Sequence, residues 1–165
     1  MGARTVVYSG TFDPITHGHV DLVDRARRLF DHITVAISTG LNKKPLFTKK
    51  ERFKIANEVF KSYDNVEVIT FDGLLVDCVK DLGAKAVIRG LRAVTDFEYE
   101  FQMASINHKL DDDFETIFMI PDEKYTCLSS TMIREVAKID PMRVRDFVSP
   151  VVFEAILKKF PFTTD

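Results

Sequence analysis

Short runs of β-branched and apolar residues alternate with stretches whose apolar positions recur every three or four residues, and the alternation persists along most of the chain. Residues 5–9, 33–38, 66–71, 86–89 and 116–120 read as buried strands. Between the first two, Leu22, Val23, Ala26, Leu29 and Phe30 fall where one face of a helix is buried. Thr48, Lys49, Lys50 and Glu51 fit a capping box, and Phe53, Ala56, Val59 and Phe60 then mark an apolar side. Leu75, Val79 and Leu82 form a third stripe that stops at Gly83, a natural residue for the left-handed position just past a helix. Asp96 is placed to cap a fourth helix bearing Phe97, Phe101, Ala104 and His108 on one face. Residues 130–138 read as helical, and Ser149 followed by Pro150 is a cap with proline at the first helical position of a terminal helix.

This pattern predicts an α/β protein: a Rossmann-like, doubly wound, five-stranded parallel sheet in the order 3-2-1-4-5, with helices on both faces and C-terminal helices. In such sheets the chain winds outward from the first strand, then returns past it, and ligands bind at the switch point beyond the carboxyl ends of the strands. The loops leaving strands one and four, residues 10–19 and 90–92, are also the most chemically loaded segments of the sequence.

Composition narrows the function classes. A chain of 165 residues that is 45% hydrophobic suits one domain over residues 1–165 with one core. The formal charge of −2 supplies no general attraction for nucleic acid or an anionic membrane, so neither is an expected partner. No apolar run approaches spanning length, the first residues lack an apolar leader, and Val6 stands where a myristoylation signal wants a hydroxyl. Cys78 and Cys127 are too isolated for a disulfide framework or a Cys-rich metal site, Cys78 reading as a small core residue. A cytoplasmic protein is expected.

The segment Gly10-Thr11-Phe12-Asp13-Pro14-Ile15-Thr16-His17-Gly18-His19 places two imidazoles and two hydroxyls at a strand-to-helix junction. Unpaired N–H groups and a partial positive charge at a helix start bind anions, Gly18 permits close backbone approach, and a histidine beside it can donate to oxygens that gain charge during phosphoryl or nucleotidyl transfer. A lone histidine at a helix start is ordinarily just polar; this setting gives at least one of the two a functional role. The chain has neither G-x-x-x-x-G-K-[ST] nor G-x-G-x-x-G here, which disfavours P-loop hydrolysis and a dehydrogenase. Thr11 is placed to donate to a phosphate, whereas Asp13-Pro14 reads as a structural turn. Lys43-Lys44-Pro45 opens on the same sheet edge, either as a phosphate ligand or as a solvated basic loop. Arg89 and Arg92 flank Gly90-Leu91, and two such guanidiniums need anions or carboxylates such as Asp96 or Glu98 to compensate them. In residues 128–134, capping needs one of Ser129, Ser130 and Thr131, leaving two hydroxyls and free N–H groups for phosphate oxygens. Phe97, Tyr99 and Phe101 read as helix packing, and Asp111-Asp112-Asp113 as a solvated turn. No metal ligand set is assigned to protein side chains.

With these residues in view, the chain resembles the bacterial phosphopantetheine adenylyltransferases, within the H-x-G-H or T-x-G-H nucleotidylyltransferase superfamily. The resemblance runs over essentially the whole chain and rests on SGTFDPITHGH at 9–19, IRGLRAVTDFEYEFQMA at 88–104 and LSST at 128–131. It implies transfer of AMP from ATP to 4′-phosphopantetheine, giving dephospho-coenzyme A and pyrophosphate, with magnesium held through the ATP phosphates. It also implies a homohexamer and feedback inhibition by coenzyme A. His19 matches the transition-state stabiliser, and Thr11 a contact to both substrates; with Lys43 and Arg92 these form the implied catalytic set. Phe12, His19, Gly90, Leu91, Arg92, Glu100, Tyr125, Thr126, Cys127, Leu128, Ser129, Ser130 and Thr131 match the ATP-binding set, while Lys43, Leu75 and Arg89 match the acceptor site. Tyr125 and Ser9 depart from the tryptophan and proline of some relatives. Two alternatives remain on sequence alone: a nicotinate or nicotinamide mononucleotide adenylyltransferase, and a non-catalytic nucleotide or coenzyme A sensor.

Overall fold

The computed structural model describes residues 4–39 and 44–161. Five parallel strands, β1 (Thr5–Gly10), β2 (His32–Ser38), β3 (Val66–Phe71), β4 (Ala86–Gly90) and β5 (Glu115–Met119), form one sheet in the order β3-β2-β1-β4-β5. Each lies within a residue of its sequence expectation. β1 sits at the centre, with Val7 opposite Val87 of β4 on one side and Val7 opposite Thr34 of β2 on the other.

Among the described residues six helices cover the sheet: α1 (His17–Ala26), α2 (Lys49–Phe60), α3 (Leu75–Asp81), α4 (Val94–Leu110), α5 (Ser130–Ile139) and α6 (Pro150–Lys159), with 3-10 turns at Glu123–Tyr125 and Pro141–Phe147. Successive strand residues point to opposite faces, so each strand feeds two cores. Val6, Tyr8, Val35 and Ile88 pack with Leu22, Ile55, Phe60, Ile133 and Ile156 from α1, α2, α5 and α6. Val7, Ala36 and Val87 pack with Val76, Cys78 and Val79 of α3 and with Phe114. The capping box at α2 forms as expected, Thr48 Oγ1 accepting from Glu51 N–H and Glu51 Oε2 from Thr48 N–H.

Four local expectations are corrected. α1 ends at Ala26, and the next residues turn, so Leu29 is exposed although it continues the apolar spacing. α4 begins at Val94 with Ala93 as its cap; Asp96 lies in the first turn, where its carboxylate faces the positive end of the helix dipole. The aromatic stripe of α4 is not buried: Phe97 and Phe101 stack at 5.7 Å, and both are about half exposed. Among the described side chains of α4 only Asn107 is buried, because this helix touches little beyond α3 and β5. Pro150 does open α6, but the buried Ser149 hydroxyl makes no cap bond and has no partner among the described residues.

Candidate active site

The turn from β1 into α1 is anchored before it reaches any ligand. The buried Asp13 carboxylate accepts N–H bonds from Leu46 (2.9 Å) and Phe47 (2.8 Å), Arg134 donates to the Asp13 carbonyl, and the Asp13-Pro14 peptide is cis. The structural reading of Asp13-Pro14 thus holds. Phe12 adopts φ 49°, in the left-handed region that a bulky residue adopts only under outside constraint. Its ring meets Tyr8 edge-on at 5.2 Å and His19 at 5.1 Å, clamping the imidazole.

Thr16 donates its backbone N–H to His19 Nδ1 at 2.9 Å. An N–H can only donate, so Nδ1 is the acceptor nitrogen and Nε2 carries the proton. Burial, then the positive charges of Arg92 and Arg89, push the His19 pKa down to about 4. His19 is therefore a neutral donor at pH 7. His17, also held below the ordinary imidazole range by burial, turns toward Tyr125 and does not line the cavity.

At the exit of β4, Arg89 Nε and Nη2 form a bidentate pair with Glu100 at 2.7 Å each, and Nη1 donates to the Ser9 carbonyl at 2.7 Å. Arg92 pairs with Asp96 at 3.3 Å and donates to the Leu128 carbonyl at 3.0 Å. The two guanidiniums do have carboxylate partners, but Arg89 takes Glu100, beyond the expected first turn of α4, and Glu98 serves neither.

The hydroxyls at the start of α5 are more occupied than expected. Ser129 Oγ caps the helix by accepting from Met132 N–H (3.0 Å), Ser130 Oγ donates to the Pro14 carbonyl (2.7 Å), and Thr131 Oγ1 accepts from Arg134 (3.1 Å). What remains for an anion is the first-turn N–H groups of α5 other than that of Met132, and the hydroxyl protons of Ser129 and Thr131.

These elements enclose a cavity of about 330 Å3. It gathers Thr11, Phe12, His19, Gly90, Arg92, Glu100, Tyr125, Leu128, Ser129, Ser130 and Thr131 from the expected set. A second cavity of about 560 Å3 opens between the ends of β1, β2 and α4, with Leu75, Leu74, Met103 and Asn107 on its walls. Ser9, Gly10, Thr11, Arg89 and Glu100 border both. Leu91, Thr126 and Cys127 line neither. The Leu91 N–H is used by the Met119 carbonyl, and the Thr126 hydroxyl by the Glu123 carbonyl. Lys43 lies outside the described residues. Tyr8 and Arg134 line the first cavity without having been singled out as ligands; alternation along β1, which aims Tyr8 to the same face as Val6, was a readable signal for the first.

A doubly wound sheet brings the neutral imidazole of the first turn, the two arginines at the exit of β4 and the N-terminus of α5 to one cavity, and residues 7–136 match the family model described as cytidylyltransferase-like, which makes the protein a nucleotidyltransferase. Two solved structures share the fold while being distant in sequence. A nicotinate-nucleotide adenylyltransferase candidate from Vibrio parahaemolyticus superposes with TM-score 0.70 at 18% identity, covering 94% of this chain and 99% of that one. A bifunctional NMN adenylyltransferase/ADP ribose pyrophosphatase from Francisella tularensis gives 0.68 at 12%, covering 98% and 51%. At such identities they share the fold. Full-length relatives are much nearer: phosphopantetheine adenylyltransferase of Francisella philomiragia is 53% identical over 96% of this chain and 98% of its own, and that of Francisella tularensis subsp. mediasiatica 51% over 95% and 97%. The chain belongs to the phosphopantetheine adenylyltransferase family.

Proposed function

We propose that the protein transfers AMP from ATP to 4′-phosphopantetheine, releasing pyrophosphate and dephospho-coenzyme A, by direct in-line attack of the acceptor phosphate. The observation that carries this reading is the shared wall of the two cavities, where Gly10, Thr11 and Arg89 border both chambers. In it the polar first cavity takes ATP, and the second, walled by Leu74, Leu75 and Met103, takes the pantetheine arm. The two reacting phosphates then meet beside Thr11.

A phosphate monoester is already largely dianionic at neutral pH, its second pKa being about 6, so no protein nucleophile or strong base is required. What the protein must supply is alignment and charge neutralisation. His19 Nε2–H donates to the α-phosphate as charge builds there, Thr11 and Arg92 hold ATP, and the α5 N-terminus receives the leaving phosphates. Arg89, with the Lys43 that family resemblance assigns, holds the acceptor phosphate. Magnesium, bound through the phosphates of ATP, would supply neutralisation of their charge, with no side chain of this protein assigned to hold it. Among the described residues no group of three or more His, Cys, Asp or Glu side chains is assembled to hold a metal.

The exposed apolar side chains of α4 support self-association. Val94, Phe97 and Phe101, at steps of three and four residues, form one exposed apolar strip along the helix. We assign it to contacts between copies in a homohexamer, which light scattering on wild type and Phe101→Glu tests; an unchanged mass would oppose it. Coenzyme A, which carries the same pantetheine arm, competes for the second cavity in this reading. Among the described residues no helix is long and apolar enough to cross a membrane, and use of ATP suits a cytoplasmic setting.

The decisive assay incubates the purified protein with ATP, magnesium and a panel of phosphorylated acceptors, reading the adenylated product by mass. Dephospho-coenzyme A is the expected product. Exclusive adenylation of nicotinate or nicotinamide mononucleotide would reassign the acceptor, and no adenylated product with any acceptor would leave a sensor.

A further inference from the structure

Arg52 is the most deeply buried cation described in the molecule, 2% exposed, and it lines neither cavity. It lies on the apolar face of α2, one turn before Ile55 and Ala56, where a charged residue is costly unless its donors are met. They are met almost entirely by main-chain carbonyls. Nη1 donates to Thr11 (2.6 Å) and Ser38 (2.8 Å), Nη2 to Thr39 (3.3 Å), and Nε to Phe47 (3.1 Å). Four of the five guanidinium N–H groups thus reach four carbonyls from three separate chain segments.

Three of those carbonyls belong to residues that wall the second cavity: Thr11, Ser38 and Thr39. The fourth, Phe47, is the residue whose N–H is taken by Asp13, two positions beyond Thr11. We infer that Arg52 is a positioning residue for the acceptor site, holding the ends of β1 and β2 at a fixed separation from behind so that Thr11 meets the acceptor phosphate in register. This rests on the reading of the second cavity as the acceptor chamber. Only a planar fork can make these bonds together, because a lysine ammonium places its three donors on one atom and cannot span carbonyls at the two ends of the guanidinium.

The test is steady-state kinetics of Arg52→Lys and Arg52→Gln with ATP and 4′-phosphopantetheine, beside thermal melts and the Kd of a non-hydrolysable ATP analogue. Both variants are expected to lose on the order of 100-fold in kcat/KM for the acceptor, the loss that about an ångström of misplacement brings, while the analogue Kd moves less than about threefold. Lysine, which keeps the charge, is expected to rescue folding without rescuing acceptor use. Wild-type acceptor kinetics in a folded variant, or equal losses for acceptor and analogue, would overturn the assignment. If neither variant folds, the guanidinium 15N resonances of wild-type Arg52 decide: a shift on acceptor titration, larger than with the analogue, is expected, and no response overturns it. A wild-type protein that ignores 4′-phosphopantetheine would instead refute the acceptor reading, a failure the same assay separates from this one.

Discussion

The Thr16 main chain fixes the tautomer of His19: an N–H at the cap of α1 donates to Nδ1 at 2.9 Å, so the imidazole turns Nε2–H to the cavity. Burial, with the charges of Arg92 and Arg89 added to it, keeps the ring neutral down to about pH 4. A neutral imidazole here donates its Nε2–H without bringing a full positive charge into the site.

The linkage between protonation and folding follows from that depressed value. The unfolded chain takes up a proton at His19 near pH 6.5, the folded one only near 4. The contribution of the neutral ring to stability is therefore complete above about 6.5 and is lost as pH falls from there toward 4. Histidine Cε1–H resonances recorded through a pH titration should place the His19 midpoint well below those of exposed imidazoles, and a midpoint near 6.5 would contradict the assigned environment.

His19→Ala should lower kcat by roughly 100- to 1,000-fold, the range found when one donor to a developing oxyanion is removed. ATP binding, which draws on Arg92 and the α5 N-terminus as well, should weaken far less. Single-turnover rates and analogue binding measured on the same preparation separate the two, and near-wild-type turnover would show that the imidazole is misassigned.

Glu100→Gln removes the carboxylate that meets Arg89 through two 2.7 Å bonds. Both side chains are mostly shielded, so the guanidinium is left short of a charged partner, and denaturant melts at matched protein concentration should show a loss of about 1.5–3 kcal/mol. Because Arg89 also borders the second cavity, acceptor KM should rise in parallel. A change in stability below about 0.5 kcal/mol would class the pair with surface ion pairs that contribute little.

Gly90 ends β4 against α1: a Cβ there would stand 2.7 Å from Leu22 Cδ1. Gly90→Ala should cost about 1–3 kcal/mol through overpacking. Combined with Leu22→Val the penalty should fall short of the sum of the two single variants, since the smaller side chain vacates the contested space. Strict additivity would show that the contact is relieved by other movements.

Strands and the start of α2 were readable because their causes are local. Alternation of β-branched residues, the Thr48–Glu51 box and the glycine after Leu82 act within a few residues, and Gly83 indeed takes φ +62°. Strand order followed from the handedness of crossovers, a property of any right-twisted sheet. His19 and Arg92 were legible as candidates for one cavity, which both do line, because they stand at the exits of the two strands that flank the switch point.

What the linear pattern left undecided concerns pairs far apart along the chain. Arg89 reaches Glu100 rather than nearer acids because α4 begins two residues before Asp96 and turns that side chain toward Arg92. Arg52 carried one visible signal, a cation in an apolar stripe, but its four carbonyls exist as a set only after three loops converge. The α4 aromatics have helical spacing, yet spacing names a face without saying what covers it. The sequence by itself determined the elements, their order and the chemistry at the sheet's edge, since each depends on short-range sterics or hydrogen bonding. Only the tertiary structure decided which donors are already used within the protein and which remain for a ligand, because a hydrogen-bonding group is satisfied by whatever the fold brings within about 3 Å.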